Sequence, residues 1–256
     1  MKVKVKTKEL FAALGNELRI ADFEDVSNNG VQVASSKTEI AKVCSGVDAT
    51  LPFFEEAAKR GADLVICHHG ISWGDSLKRI DGLNYDLVSF LVKHDMALWA
   101  CHLPLDAHPT LGNNAQICGT FGLRNLEPFY RYHGETIGFK GELPEPLPRD
   151  KFAVLVKERI SPRVVAHTFG AETIRTVGVV SGGAADGIAQ ALDEGLDAYL
   201  TGETDLQNYN LCLQRRGNMF AAGHYATERF GIRAVGEWIA EKFGVEHEFI
   251  DFDLPL

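Results

Sequence analysis

Paired cysteines, long apolar runs and an excess of positive charge are all missing from this chain, and each absence removes a class of protein. The five cysteines, Cys44, Cys67, Cys101, Cys118 and Cys212, are odd in number, scattered and nowhere spaced C-x-x-C. Neither a disulfide framework nor a thiolate zinc knuckle is therefore expected. No stretch approaches the roughly 20 apolar residues that a bilayer-spanning helix needs, and residues 1–6 alternate lysine with valine, unlike the apolar centre of a secretory signal. The expectation is a cytoplasmic chain with no membrane partner. Basic residues number 26 against 35 acidic ones, a formal charge of -9, which disfavours sequence-independent nucleic-acid binding through phosphate neutralisation. A local basic patch is still compatible with that average. With 45% hydrophobic and 24% charged residues in a length of 256, the chain is too apolar for disorder and can fill one large or two modest cores.

Periodicity sketches the elements. Leu10, Phe11, Leu14 and Leu18 recur at helical spacing. Residues 25–33 carry Asn29-Gly30, a tight-turn dipeptide, and lead into a short apolar stretch. After that, strands at 42–47, 62–67 and 96–101 alternate with helices at 51–60 and up to 93, the order of a parallel sheet covered on both faces. Residues 142–148 read ELPEPLP, with three prolines in seven. That density predicts a connection or an edge loop and marks the boundary region between two halves, 1–125 and 126–256. Beyond it, strands are expected at 152–156, 164–167, 176–180, 197–201 and 219–222, and helices at 186–194 and 206–216. Ile232, Val235, Ile239 and Phe243 place an apolar stripe on a long helix, and 247–252 closes as a strand. The last helix and strand are free to pack back on the first half.

An internal repeat ties the halves together. Val43-Cys44-Ser45-Gly46, a helix and then 61–67 (GADLVIC) match Val179-Val180-Ser181-Gly182, a helix and then 195–201 (GLDAYLT). Each copy runs on to a strand followed by a histidine, with a carboxylate four residues later: His102 with Asp106, and His224 with Glu228. The fold class expected is α/β, two similar halves with mainly parallel sheets covered by helices and a metal site in the cleft between them.

Ligands in open parallel sheets gather at the carboxyl ends of strands. His68 and His69 follow the strand ending at Cys67, His102 and Asp106 follow the one ending at Cys101, and His224 and Glu228 follow the one ending near Ala222. Thr227 is a suitable N-cap that would put Glu228 in a first helical turn. Together these positions offer up to six nitrogen and oxygen donors on one rim, enough for two divalent ions with a shared carboxylate. Imidazole and carboxylate without thiolate suit Zn, Mn, Fe, Co or Ni. Cys67 and Cys101 precede the histidines but read as buried filler. His94, His133, His167 and His247 read as ordinary polar residues, and His108 as a surface residue or one beside the ligands. Gly182-Gly183 belongs to neither a P-loop nor a dinucleotide fingerprint.

At these residues the sequence resembles the Nif-three-like family of dinuclear-metal proteins, the GTP cyclohydrolase I type 2 homologs. The likeness is carried by residues 28–33 (NNGVQV), 62–70 (ADLVICHHG), 102–107 (HLPLDA), 200–203 (LTGE) and 223–228 (GHYATE). It implies that His68, His69, Asp106, His224 and Glu228 bind two metals, with His102 an extra ligand or a residue beside the ligands, and that the chain forms a homo-oligomer, a hexameric ring. Tyr225 departs from bacterial relatives, which often carry a second histidine there. The central domain that larger relatives insert has no room here.

The chemistry that follows is hydrolysis by water ionised on a metal near neutral pH. The resemblance directs it at the guanine imidazole ring of GTP, releasing formate and leading to dihydroneopterin triphosphate. Other readings stay open: a hydrolase of another nucleotide or phosphoester, or a non-enzymatic ring-shaped metal-binding scaffold. Lys78, Arg79 and Arg229 are the nearest cations for a triphosphate, and each reads more readily as an ordinary surface charge.

Overall fold

The computed structural model describes residues 2–132 and 134–255, so His133 lies outside the described residues. Two compact units divide the chain. Unit 1 holds the residues up to Leu105 together with Gly231–Phe252, and unit 2 holds Asp106–Phe230 and the residues from Asp253.

Unit 1 begins with β1 (Val5–Lys6), α1 (Thr7–Glu17), β2 (Gly30–Val33) and β3 (Glu39–Ile40), then winds through β4 (Lys42–Asp48), α2 (Leu51–Lys59), β5 (Leu64–His69), α3 (Gly82–Lys93) and β6 (Ala97–Ala100). Leu64, Val65, Ile66 and Cys67 are all fully buried, as a strand covered on both faces requires. Phe53, Phe54 and Ala57 of α2 and Leu87 and Leu91 of α3 pack with Cys44, Val65, Cys67 and Leu98 of the sheet.

The short α4 (Leu103–Asp106) ends this run of unit 1 and its last residue opens unit 2, which continues with α5 (Asn113–Phe121), β7 (Arg124–Tyr132), β8 (Glu135–Pro148), α6 (Arg149–Arg159), β9 (Val165–Thr168), β10 (Thr173–Val179), α7 (Gly187–Asp193), β11 (Ala198–Thr201), α8 (Leu206–Arg215) and β12 (Asn218–Ala221). The long helix α9 (His224–Phe243) carries the chain back into unit 1 at Gly231, and β13 (Glu246–Phe249) follows it.

The larger sheet of unit 1 has the order β13-β4-β5-β6-β2, and the sheet of unit 2 the order β7-β8-β10-β11-β12-β9. In each, three consecutive parallel strands (β4, β5, β6 and β10, β11, β12) are flanked beyond the third by an antiparallel strand that precedes them in sequence, β2 or β9. The sheets differ on the other side. There β13 lies parallel to β4, whereas β10 meets the antiparallel hairpin of β7 and β8. The fold is mixed α/β with sheets covered by helices, and no helix among the described residues is long and apolar enough to cross a membrane.

Three expectations need correction. Residues 152–156 are helical, inside α6, not a strand. Pro148 sets the entry of that helix, Lys157 and Arg159 suit its last turn, and Phe152 and Val156, one turn apart, are the pair that is buried. The proline-rich 142–148 is not a loop but the second part of β8. The register shift between Ile174 and Thr176 absorbs the segment between Leu143 and Leu147, and β7 stops pairing at Glu142, so the prolines fall where one side of the strand has no ladder to break. Thr227 is no N-cap, because α9 begins at His224. Its hydroxyl accepts from Gly182 N–H at 2.9 Å, and a helix start at His224 puts His224 and Glu228 one turn apart on the same side.

Helix α6 makes its own test. In a strand, Val154 would share the face of Phe152, two residues away; in the helix it is 51% exposed while Phe152 is fully buried. Phe152→Ala should cost about 3–5 kcal/mol and Val154→Ala less than about 0.5 kcal/mol, measured by urea denaturation. Equal losses at both positions would contradict the helical assignment.

Candidate metal centre

The candidate metal-ligating residues are built separately in each unit. In unit 1, β5 ends in His68 and His69, and β6 leads through Cys101 to His102. The ring centroids of His68 lie 4.6 Å from His69 and 5.2 Å from His102, and one donor atom from each of the three rings lies within 4.8 Å of the others. Each ring is oriented through Nδ1. His68 donates from Nδ1 to the Cys101 carbonyl oxygen at 3.0 Å, His69 to Asp48 Oδ1 at 2.8 Å and His102 to Asp25 Oδ1 at 3.0 Å. A carbonyl or carboxylate only accepts, so Nδ1 carries the proton and Nε2 the lone pair. This is the arrangement of metal-binding histidines, whose second nitrogen is held by an outer oxygen.

Asp25 is the most constrained of these acceptors. Its carboxylate also accepts from Ser27 N–H, from Asn29 Nδ2 and from Leu103 N–H, each at 3.0 Å. Burial favours its neutral form, but the bonds and charge of His102 with those of Asn29 and Ser27 outweigh burial and hold the pKa down at about 2. The carboxylate is thus charged throughout the physiological range.

In unit 2, Asp106 is 5% exposed and its Oδ1 accepts from Asn113 Nδ2 at 2.9 Å and Ser181 Oγ at 3.1 Å. Asn114 locks this corner, donating to the carbonyl of Ile137 and accepting from Ser181 N–H. On α9, His224 Nε2 faces Glu228 Oε2 at 3.1 Å, and its Nδ1 donates to Glu203 Oε1 at 2.6 Å. Glu228 is 4% exposed. Gly182, at φ +67°, leaves the space they occupy: a Cβ there would fall on Glu228 Oε1 and lie 3.2 Å from His224 Nε2. The second Ser-Gly of the repeat therefore orients one carboxylate through Ser181 and makes room for the other through Gly182. The first is used differently, since Ser45 bonds His247 Nε2 at 2.7 Å and a Cβ on Gly46 would lie 2.6 Å from Phe53.

The donors of each unit suit divalent ions: imidazoles oriented through an outer oxygen in unit 1, and two buried carboxylates, an imidazole and a glycine cradle in unit 2, with no thiolate among them. Cys67 is fully buried, and burial pushes its thiol well above the usual range. His108 is a turn residue whose Nδ1 accepts from Leu111 N–H at 3.0 Å. His94 stacks on Phe90 and His167 bonds Thr204.

Sequence reasoning missed the outer carboxylates. Asp48 ends β4 as His69 ends β5, Glu203 follows β11, and Glu203 stands in the LTGE motif, so position was the available signal. For Asp25 there was none, because it reaches His102 across 77 residues of sequence.

A family model described as Duf34/NIF3 (NGG1p interacting factor 3) matches residues 5–255. The chain belongs to the Duf34/NIF3 family. It is 39% identical to the GTP cyclohydrolase 1 type 2 homolog of Deinococcus radiodurans, over 97% of this chain and 94% of that protein. It is 37% identical to the protein of the same name from Archaeoglobus fulgidus, over 97% and 98%. Among solved structures, protein ybgI, described as of unknown function, superposes with TM-score 0.92 at 34% identity, covering 98% of this chain and all of that one. TTHA1606 from Thermus thermophilus gives 0.89 at 30%, with the same coverage. For this Duf34/NIF3 member, Tyr225 is buried in the first turn of α9.

Two outcomes follow from the geometry. Gly182→Ala should lower both thermal stability and metal uptake, whereas Gly183→Ala, whose Cβ would meet His224 at an ordinary 3.5 Å, should change uptake little. Elemental analysis and thermal melts of the two variants compare them directly. The second concerns pH. Burial opposes a charge on His224, yet the bonds and charges of Glu228 and Glu203 prevail and raise its pKa to about 9. Without metal the ring is therefore protonated at neutral pH, and only the neutral ring binds metal. Metal uptake should release a proton below about pH 9 and strengthen as pH rises toward it. Calorimetry in buffers of different ionisation enthalpy reads that proton; a buffer-independent heat at neutral pH would contradict it.

Proposed function

We propose that this chain is a dinuclear metal-dependent hydrolase in which His68, His69, Asp106, His224 and Glu228 hold two divalent ions of the Zn, Mn, Fe, Co or Ni type. The observation that carries the reading is that His68, His69, His102 and His224 all present Nδ1 to an oxygen acceptor. Such ions supply Lewis acidity and bring the ionisation of water toward neutral pH. The chain's own groups do the rest. Asp25, Asp48, Glu203 and the Cys101 carbonyl hold the rings in one orientation, and Asn113 and Ser181 hold Asp106. Asp106 and Glu228 set negative charge against the two cations.

The names of the curated relatives support GTP as the substrate to test first. The reaction would add water at C8 of the guanine, open its imidazole ring and release formate, leading to dihydroneopterin triphosphate. A hydrolase acting on a less charged nucleotide or phosphoester is the second reading. It is favoured by the cations themselves, since Arg229 donates to the Ile160 carbonyl at 2.8 Å and Lys78 pairs with Asp75 at 2.5 Å. The hexameric ring belongs to the same proposal; Leu206, Tyr209 and Leu213 on α8 are exposed apolar side chains that a neighbouring copy could cover.

Alanine at any of the five ligand positions should lower metal content with the fold retained, and the reconstituted protein should release formate from GTP in a chelator-sensitive manner. Phosphate without formate would move the assignment to the second reading. Five unchanged metal contents would end the metal assignment, and a fully loaded protein inert toward GTP and a panel of esters would leave a metal-binding scaffold.

A further inference from the structure

We propose that Trp73 is a substrate-binding residue, a platform on which a planar heteroaromatic ring of the purine class stacks beside the imidazoles of unit 1; this rests on the hydrolase reading above and deepens it. The residues that build the platform, Asn28, Gln32 and Gly70, stand in sequence motifs that the metal donors leave unexplained.

Unlike Trp99, which fills the core at 1% exposure, Trp73 stays half-buried. Its ring centroid lies 5.0 Å from that of His102, with the planes at 74°, and 5.9 Å from that of His69. The loop carrying it is tied down before and after the indole. Gln32 Oε1 accepts from Ile71 N–H at 2.7 Å and from Ser72 N–H at 3.0 Å, in the space that Gly70 leaves by having no Cβ. Asn28 N–H donates to the Ser72 carbonyl at 3.0 Å, and Gly74 N–H to the Val26 carbonyl at 2.7 Å. Trp73 itself donates twice, from its backbone N–H to Ser76 Oγ at 2.9 Å and from Nε1 to the Gly70 carbonyl at 2.8 Å.

A ring fixed before its ligand arrives loses little freedom on binding. The single donor of the indole is already engaged, so what it offers a ligand is π surface, which suits the face of another planar ring. Stacking on one aromatic side chain is enough to recognise a base whatever phosphates it carries, and the cation of this loop, Lys78, is paired with Asp75. The position also favours one chemistry over another. A purine on Trp73 brings its ring carbons, rather than a phosphorus atom, beside His69 and His102, as opening of a guanine ring requires.

The test titrates guanosine, GTP and inorganic tripolyphosphate into metal-free and metal-loaded wild type, Trp73→Phe and Trp73→Ala, reading affinity by calorimetry and metal by elemental analysis. Guanosine should bind the wild type with or without metal, GTP should follow it across the variants, and tripolyphosphate should not displace it. Trp73→Ala should weaken guanosine about five- to a hundredfold, with Trp73→Phe between the two. No binding of guanosine by the wild type, unchanged affinity in Trp73→Ala, or displacement by tripolyphosphate would overturn the platform and leave the hydrolase reading to formate release. Guanosine binding that depends on Trp73, in a loaded protein that releases neither formate nor phosphate from GTP, would keep the platform and sink the hydrolase. Should the variants fail to fold, nuclear Overhauser contacts in the wild type decide: contacts from guanosine H8 to the Trp73 indole support the platform, and contacts confined to other residues reject it.

Discussion

An imidazole can bind a metal through one nitrogen only if something else settles where its proton sits, and here that settlement is structural. The acceptors that fix His68, His69 and His102 are a backbone carbonyl at the end of one strand and two carboxylates, one of them at the end of β4. The sheet of unit 1 must be in register before Asp48 and the Cys101 carbonyl meet their rings. The ring orientations are thus a product of strand pairing: Asp48 lies opposite His69 in the β4 and β5 ladder, and the Cys101 carbonyl is delivered where β6 runs out beside β5.

Unit 2 solves the same problem with different parts. Its carboxylates are nearly buried, and a buried charge needs hydrogen-bond or charge partners. Asp106 answers with side-chain amide and hydroxyl donors, and Glu228 with the imidazole one helical turn before it. The two devices meet at a single dipeptide, Ser181-Gly182, at the end of β10, where one residue donates a bond and the next contributes only the absence of a side chain. A conformation with φ near +67° at that place comes readily to glycine and costs other residues backbone strain.

Much of this was legible because the alternation of buried strands and amphipathic helices repeats its own motifs. The strand end at Cys67 and the strand followed by His224 were placed by apolar runs of the right length, and the acids four residues beyond His102 and His224 by spacing alone. What escaped was non-local or ambiguous in period. Phe152 to Val156 is an unbroken apolar run, which suits a strand or a buried helix equally; only the packing of Phe152 and Val156 on one face decides. The prolines of β8 misled because their tolerance depends on where the neighbouring strand stops, a fact no local reading contains. Asp25 escaped because its partner is 77 residues away.

The last strand carries a consequence for how the molecule comes into being. β13 pairs with β4, and around that seam His247 meets Ser45 and Glu248 meets both Lys42 and Arg60. During synthesis β4 therefore waits with an open hydrogen-bonding edge until all the strands of unit 2 have been made. Every β-strand of unit 2 is complete before the strand that finishes unit 1 emerges. An exposed edge is a hazard for aggregation, and here it is capped last. The first unit to begin folding is the last to close.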